Sequence, residues 1–535
     1  MIIEKKTAEV GSATQISSDQ RAEDQGELSS VMRWFLLSGL ILLTGLFYVF
    51  THNSGYGYDS LEYLVIGRAI SNGIPFFSLI PSKSPGIYYL IAGLFSVGMP
   101  QTHAAISAVI AVVFGATLIV SWLVLRNFFS YRVVIVATAL IALCAIFMEM
   151  NFLEPESVVV IFGLAAYACF LRSLKDKKLA TTVFAGILLA AGFQFKSVSA
   201  FYGLGLGLFL VFRLAQRRET FNETLRHGAP LLVGFLFGSS IPFLFFAAMG
   251  KAADFWLWTI KFPVLYYPAN TLWLDKLYTK LLWFHVLLLI AIACSVLIRA
   301  RRVVWLNDAA TLAFFMGLAS YLALLKTQAS HYCFPGAAFF SIFIAATFFE
   351  TVKKEVKTTV PHRRRLLTAV IATCFVIAIS AVAYRPQAAS RFLKWRDFEN
   401  ERSLSQSILS ETNPGEKALF VRDGAFLYWL SGLQPGAPFV NFEVQTTYFV
   451  EHDPAAMAKA LKDSSVKLVE FNPADPGFED ARFTEVANHS QLLTEFNQVL
   501  NDDFRPASLQ VPPYQFWVRK PTVEKNLVKA ATASQ

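Results

Sequence analysis

Long apolar runs separated by short polar segments dominate the first two thirds of the chain. Most of the runs are close to the 20 or so residues that a helix needs to cross the hydrocarbon of a bilayer. An apolar run at 85–98 is shorter and is therefore expected to lie along the membrane surface. Residues 179–213 could form either two spans or one unit broken around 194–197. The pattern predicts eleven transmembrane helices, at residues 34–51, 102–125, 133–151, 157–173, 179–195, 197–213, 228–249, 281–298, 307–326, 333–350 and 366–384.

The positions of Lys and Arg predict which side of the membrane each loop occupies, because basic loops stay in the cytoplasm. With a cytoplasmic N-terminus, every second loop from Arg126 onwards carries a basic cluster, whereas the opposite loops hold isolated cations. Counting 85–98 as a span would break this alternation, so 52–101 is predicted to be one long outer segment. The isolated outer cations are Arg68, Lys83, Lys196, Lys251, Lys261, Lys276, Lys280 and Lys326.

Polar segments flank the membrane region at both ends. Residues 1–33 are of mixed charge and predict a disordered cytoplasmic tail, whereas 34–384 form the membrane domain. Residues 385–535 alternate strand-like and helix-like runs, which predicts a small extracytoplasmic α/β domain of about 130 residues. The fold class is therefore a mainly α polytopic membrane protein with this domain attached. The strand-like runs are 417–422, 439–443, 466–471 and 515–519, and the helical ones are 455–463 and 491–500.

Composition supports a membrane protein and excludes several other classes. Of the 535 residues, 55% are hydrophobic and 16% are charged, against about 25% charged in soluble domains. The net charge is +9, and the charged residues lie in the segments between the apolar runs, so no nucleic-acid partner is predicted. The five cysteines form no CxxC motif, and none lies in the polar C-terminal part, so neither disulfides nor a Cys-based zinc site is expected there.

Acidic residues follow the first span directly. A helix over 59–71 would place Asp59, Glu62 and Tyr63 on one face. The structural alternative is that these acids stabilise the positive end of the helix. Glu154 and Glu156 flank a proline at the outer end of the third span, where carboxylates are costly.

Isolated cations occur at the same predicted depth. Lys83 lies in a proline-rich turn, where it could instead snorkel to the headgroups. Lys196 lies between two apolar runs and requires an anion as partner. His331 and Tyr332 end another span, where a lone histidine is more often hydrogen-bonded than a ligand. Such acids and amines suit transfer of a group from a membrane-held phosphate, because a carboxylate can accept a proton and ammonium groups can stabilise the departing phosphate.

The motifs carrying these residues resemble the GT-C membrane glycosyltransferases over roughly residues 34–384. Asp59-Ser-Leu-Glu-Tyr63 and Lys83-Ser-Pro-Gly-Ile-Tyr-Tyr89 are similar to the first outer loop of protein O-mannosyltransferase-like enzymes and of lipid A aminosugar and galacturonosyl transferases. The turn reads Lys-Ser-Pro here and Lys-Pro-Pro in those relatives. Further similar motifs are Asn151-Phe-Leu-Glu-Pro155, Phe195-Lys-Ser-Val-Ser199 and His331-Tyr-Cys-Phe-Pro335.

The resemblance implies roles for the matching residues. Asp59 would be the general base or a carboxylate that orients the acceptor, and Glu154 would be the second acidic residue, with Glu62 and Glu156 as further acidic candidates. Glu156 competes with Glu154, although the Glu-Pro step favours Glu154. The remaining implied residues are Lys83 and Lys196 for the donor phosphate, and Tyr63, Tyr88, His331 and Tyr332 as candidate substrate contacts.

The implied reaction transfers a hexosyl or pentosyl group from a polyprenyl-phosphate donor to a hydroxyl acceptor, with inversion. The acceptor would be a protein, a glycolipid or a polysaccharide outside the plasma (inner) membrane. Some relatives use a divalent metal; the acids here could bind one, but no metal-ligand spacing occurs, so neither a metal site nor an obligatory cofactor is predicted. The alternatives are a multi-pass transporter, whose ionisable groups would lie near mid-membrane, and a non-catalytic scaffold.

Overall fold

The structure is a computed structural model. It describes residues 58–265, 273–297, 304–325, 330–349, 399–440, 448–472 and 491–521, with gaps at 149, 151, 414 and 450, together with parts of 31–45. Nearly all of the predicted tail, the predicted span 366–384 and Lys326 lie outside the described residues.

Helices make up most of the described chain, and five strands follow in its last third. The short segment 252–265 is also helical and contains one π-helical turn, Trp256–Lys261. The helices are α1 Tyr58–Ser71, α2 Pro85–Ser96, α3 His103–Leu125, α4 Tyr131–Phe147, α5 Glu156–Asp176, α6 Leu179–Phe193, α7 Ser199–Ala215, α8 Phe221–Ala248, α9 Trp273–Leu297, α10 Asp308–Tyr321, α11 Phe334–Phe349, α12 Glu399–Ser410, α13 Gly424–Ser431, α14 Ala456–Lys462 and α15 Gln491–Asp503. The strands are β1 Lys417–Phe420, β2 Gln434–Pro435, β3 Val466–Glu470, β4 Phe504–Val511 and β5 Tyr514–Arg519.

The chain divides into two compact units. The first unit comprises Met1–Ser54, Thr102–Pro242 and Pro268–Trp395, and therefore holds most of the apolar helices. The second unit comprises Gly55–Gln101, Phe243–Tyr267 and Arg396–Gln535. Most of the predicted outer segment (55–101) and the C-terminal region, which are far apart in the sequence, thus belong to the same unit.

Five described helical segments are long and apolar enough to cross a membrane. They are α3, α5, α8, residues 308–325 and residues 331–349; α4, α6, α7 and residues 282–297 are shorter and also apolar. Helix α8 exposes Leu236, Phe237 and Leu244 by 58%, 59% and 61%, and a face of this kind suits lipid better than water. The chain is an integral membrane protein, and the total of eleven spans stays a prediction.

Residues 179–215 form two separate helices, α6 and α7, with a turn at Gln194–Val198 between them. They pack against each other closely, because Ser199 Oγ donates a hydrogen bond of 2.8 Å to the Leu189 carbonyl. A side chain at Gly192 would collide with Ser199, at 2.6 Å from its Oγ. This turn, whose shape depends on a small residue, carries Lys196.

The second unit places α1 against α2. A Cβ atom at Gly67 would lie 2.5 Å from Ile91 Cγ2, so these two helices approach as closely as a glycine allows. Helix α2 has 12 residues and is roughly 18 Å long, which is too short for a hydrocarbon core of about 30 Å. Its length agrees with leaving 85–98 out of the predicted spans.

A five-stranded sheet forms the centre of the C-terminal region, in the order β2-β1-β3-β5-β4. Strand β1 pairs in parallel with β2 and β3, while β5 is antiparallel to both β3 and β4. The predicted runs at 417–422, 466–471 and 515–519 coincide with strands, and those at 455–463 and 491–500 coincide with helices. Of the predicted strand 439–443, Phe439 pairs with Ile80 in an isolated bridge, and most of the remainder lies outside the described residues.

Candidate active site

The acidic side chain of Glu62 organises the turn that carries Lys83. Glu62 is 1% exposed, and its Oε1 accepts hydrogen bonds from the Ser82 backbone N–H (2.8 Å) and from the Tyr88 hydroxyl (2.5 Å). The Lys83 N–H in turn donates to the Tyr88 hydroxyl oxygen at 3.2 Å. Burial raises the pKa of Glu62, against the opposing effect of these two hydrogen bonds. Glu62 and Tyr88 therefore fix the backbone of the turn through these hydrogen bonds.

Asp59 and Lys83 form an ion pair in the second unit. Lys83 Nζ lies 3.2 Å from Asp59 Oδ2, and the two side chains are 6% and 20% exposed. Asp59 is the second residue of α1, where the helix dipole favours a negative charge. The arrangement holds a charge-compensated carboxylate at a partly accessible helix end.

The first unit contains a second amine–acid pair. Glu156 begins α5 and is fully buried, and its Oε1 is hydrogen-bonded to Lys196 Nζ. The ammonium group of Lys196 also lies 3.7 Å from the centre of the Tyr332 ring. A lysine that is 3% exposed needs such compensation. Lys196 is therefore held by a carboxylate on one side and an aromatic face on the other.

His331 lies beside both acids of the Glu154–Glu156 motif. Its Nε2 is 3.8 Å from Glu156 Oε1 and 4.0 Å from Glu154 Oε2. A carboxylate and an imidazole, here those of Glu154 and His331, are donor types that divalent cations accept. It stays a prediction that the reaction does not require a metal ion.

The side chain of Tyr202 supports this cluster. The Tyr202 hydroxyl, on α7, donates to the Pro335 carbonyl at 3.1 Å, at the start of α11 and just after His331 and Tyr332. A Cβ atom at Gly163 on α5 would lie 2.4 Å from the Tyr202 ring. Tyr202 thus joins three helices, and no sequence motif indicated it.

Each unit brings together part of the predicted set. The second unit groups Asp59, Glu62 and Lys83 with Tyr63 and Tyr88. Tyr63 and Tyr88 are both 0% exposed, and their rings meet edge to face at 5.5 Å. In the structure these two rings are buried and pack against each other. Their role as substrate contacts stays a prediction. The first unit groups Glu154, Glu156, Lys196, His331 and Tyr332.

Arg68 is a further residue of interest, and no role for it was predicted from the sequence. Among the described residues it makes hydrogen bonds to the Tyr428 carbonyl (2.7 Å) and to Gln101 Oε1 (3.1 Å). The available signal was that Arg68 is one of the isolated cations in the loops predicted to lie outside. The identity of its partner, hundreds of residues away, was not readable from the sequence.

Comparisons with known proteins identify a family and several solved structures to which this chain is similar. The model of the dolichyl-phosphate-mannose-protein mannosyltransferase family matches residues 82–243. No curated protein matches the chain significantly. Among solved structures, ArnT from Cupriavidus metallidurans bound to undecaprenyl phosphate is similar at 12% identity and a TM-score of 0.61, covering 92% of this chain and 99% of ArnT.

Two structures of an archaeal oligosaccharyltransferase from Archaeoglobus fulgidus are also similar. The apo form has 12% identity and a TM-score of 0.52 over 90% of this chain and 74% of that one. AglB in complex with an inhibitory peptide and a dolichol-phosphate has 13% identity and a TM-score of 0.52 over 92% and 75%. The resemblance to GT-C membrane glycosyltransferases is confirmed, and the chain has the fold of that class.

Proposed function

We propose that this chain is a glycosyltransferase that moves a hexosyl or pentosyl group from a polyprenyl-phosphate donor to a hydroxyl acceptor at the extracytoplasmic face of the plasma membrane. The donor class is supported by two proteins of similar fold, which were solved with undecaprenyl phosphate and with dolichol-phosphate. The acceptor would be a protein, a glycolipid or a polysaccharide.

The observation that carries the proposal is the state of Asp59. Its carboxylate lies 3.2 Å from an ammonium group and its side chain is 20% exposed, whereas that of Glu62, one turn along the same helix, is buried and hydrogen-bonded. A general base needs access to the hydroxyl that it deprotonates. Asp59 is therefore our candidate base, and Glu62 is assigned to positioning the Lys83 turn.

In the proposed reaction the acceptor oxygen attacks the anomeric carbon while the bond from that carbon to the phosphate oxygen breaks. The acceptor proton passes to the Asp59 carboxylate, and polyprenyl phosphate leaves with the bonding electron pair. Attack opposite the phosphate inverts the configuration. No enzyme acid is required, because phosphate is a good leaving group once its charge is compensated.

Lys83 and Lys196 would supply that compensation. Each ammonium group is already held by a carboxylate, Lys83 by Asp59 and Lys196 by Glu156. Such a cation is oriented before the donor arrives, so little side-chain entropy remains to be lost on binding. Glu154, next to His331, is the proposed second acidic residue of the site.

The orientation in the membrane is part of the proposal. The basic clusters that begin with Arg126 support a cytoplasmic location for the connections that carry them. The outer segment, the Glu154 motif and the C-terminal α/β region would then share the extracytoplasmic side, where a lipid-linked sugar could meet its acceptor.

The first prediction concerns Asp59. We expect Asp59→Asn to lower the transfer rate by about 10²-fold or more, the typical size of a general-base contribution. Because the variant removes the carboxylate partner of Lys83, whose side chain is 6% exposed, its unfolding temperature should fall, while the protein stays folded at the assay temperature. The measurement is consumption of a panel of labelled polyprenyl-phosphate sugars by the purified protein.

Asp254→Asn is the matched control. Asp254 also lies in the second unit and forms an exposed ion pair with Lys251 at 3.0 Å, so its removal should leave transfer unchanged. A wild-type protein that consumes no polyprenyl-phosphate sugar, or an Asp59→Asn variant of full activity, would contradict the proposed function.

A further inference from the structure

The C-terminal region contacts the helix that carries Asp59 at one defined place. The Arg68 guanidinium, in the last turn of α1, donates from Nη2 to the backbone carbonyl of Tyr428 on α13 at 2.7 Å. Its carbon centre lies 5.7 Å from the centre of the Trp429 ring. Both partners belong to α13, which follows the first strand of the sheet.

Arg68 is buried without an ion pair among the described residues. It is 8% exposed, and burial lowers its pKa to about 10, so the guanidinium is charged at neutral pH. A buried charge is costly unless neighbouring dipoles compensate it. Here the carbonyl ends of two helices provide them, since Arg68 lies in the last turn of α1 and Tyr428 in the last turn of α13.

Tyr428 extends the connection into the sheet. Its hydroxyl donates to the Ala418 carbonyl at 3.0 Å and accepts from the Phe420 N–H at 3.1 Å, so its side chain is fixed to β1 while its carbonyl receives Arg68. A second connection lies beyond α1, where the Ile80 N–H donates to the Pro438 carbonyl and Ile80 pairs with Phe439 as in a parallel sheet.

We propose that Arg68 is a positioning residue through which the C-terminal sheet region holds α1, and with it Asp59, in the geometry for transfer. Arg68 is nine residues from Asp59, or roughly 14 Å along the helix axis. A rotation or tilt of α1 at this end would displace Asp59, and a displacement near 1 Å can cost about 10²-fold in rate. The inference rests on the proposed function of Asp59.

The test compares Arg68→Met with Arg505→Met in the full-length protein. Methionine keeps the apolar stem of the arginine but removes its hydrogen bonds, and Arg505 is an exposed arginine of β4. We expect Arg68→Met to lower kcat at least tenfold with a smaller change in the KM of the donor, and to increase amide hydrogen exchange in 58–71. Arg505→Met should change neither quantity by more than twofold.

Rescue separates positioning from general loss of stability. In the Arg68→Met background, cysteines at Ile80 and Phe439, whose backbones are paired, would tie the outer segment to the C-terminal region by a disulfide. We expect oxidation to restore most of the lost kcat and a reductant to remove it again. Wild-type kcat in Arg68→Met, or a loss that equals the fraction of unfolded protein and resists rescue, would overturn the inference.

The exchange measurement distinguishes this failure from failure of the proposed function. If the wild-type protein transfers no sugar, the proposed function fails, and the inference about catalytic geometry fails with it. Faster exchange in 58–71 of Arg68→Met would then still show that Arg68 anchors α1. If the wild type is active and exchange in 58–71 is unchanged by Arg68→Met, Arg68 is not an anchor and only the inference is lost.

Discussion

At the scale of single residues, the buried pair of Lys196 and Glu156 affects both the stability of the protein and its proposed binding of the donor. The pair is nearly inaccessible, with side chains 4% and 0% exposed. Removing one partner of a buried pair leaves an uncompensated charge, which costs more than the pair itself contributes. The same lysine is our candidate for binding the donor phosphate, so its substitution has consequences for both stability and binding.

We therefore expect Lys196→Met to destabilise the protein by about 3 kcal/mol or more, and the double variant Glu156→Gln/Lys196→Met to recover most of that loss. Donor binding should remain weak in both variants, since neither has the Lys196 ammonium group and only Lys83 is left to bind the phosphate. Thermal unfolding and donor titration measure the two effects. Lys251→Met, at an exposed pair, is the control, and equal stability of the single and double variants would contradict the prediction.

A buried carboxyl group in the C-terminal sheet should make stability depend on pH. Glu470 is 0% exposed at the end of β3, and its Oε2 accepts hydrogen bonds from the Val421 and Arg422 N–H groups at 3.2 and 2.8 Å. Burial outweighs these bonds and raises the pKa of Glu470 to about 8. The folded state thus keeps a proton that the unfolded state has released above its ordinary pKa near 4.5.

The contribution of Glu470 is therefore fully present below about pH 4.5 and is lost as the pH rises towards 8, with a slope of up to about 1.4 kcal/mol per pH unit. We expect Glu470→Gln, which can still accept both hydrogen bonds, to weaken this dependence. Hydrogen exchange at Val421 and Arg422 between pH 5.5 and 8 measures it. An unchanged pH dependence in the variant would show that another group is responsible.

Sequence reasoning identified the chemical types at the site but not their pairing. Glu154 and Glu156 differ only by their place relative to Pro155, and the Glu-Pro step favoured Glu154 as the second acidic residue. The structure shows that α5 begins at Glu156 and that this residue pairs with Lys196. Which carboxylate faces a given amine depends on where the helix begins, and a helix boundary is the least predictable feature of an apolar run.

At the scale of elements, close helix contacts depend on a few glycines. A Cβ atom at Gly163 would lie 2.4 Å from Tyr202 Cε2, whereas one at Gly203 would make an ordinary contact of 3.7 Å with Leu189. We expect Gly163→Ala to cost about 1–3 kcal/mol through overpacking, and Gly203→Ala to be neutral or stabilising because alanine favours helix. Thermal unfolding of the two variants tests this, and equal effects would contradict it.

The elements that the sequence failed to predict have physical explanations. Strand β4 contains Pro506, which argues against a central strand; β4 lies at the edge of the sheet, where proline is tolerated. Helix α13 reads GAFLYWLS and has no polar face from which a helical period could be recognised. By contrast, the long apolar runs were recognisable because the bilayer sets their length.

At the scale of the whole molecule, the proposed orientation can be tested directly. Asn72, in the turn after α1, and Arg217, after α7, are both exposed. We expect a single cysteine at Asn72 to react with an impermeant maleimide from the extracytoplasmic side, and one at Arg217 to react only after the membrane is opened. Reaction of both from the same side would contradict the alternation of basic loops on which the orientation rests.

The second unit is assembled from three distant stretches of chain, and the bond between Arg68 and Tyr428 joins residues 360 positions apart. At a synthesis rate of about 5–20 residues per second, roughly 20 to 70 s separate the two ends of that bond. For most of this interval α1 lies outside the ribosome while its docking partner does not yet exist. A ribosome that stalls before residue 428 would leave a chain whose membrane helices have been made but whose candidate catalytic helix has nothing to hold it.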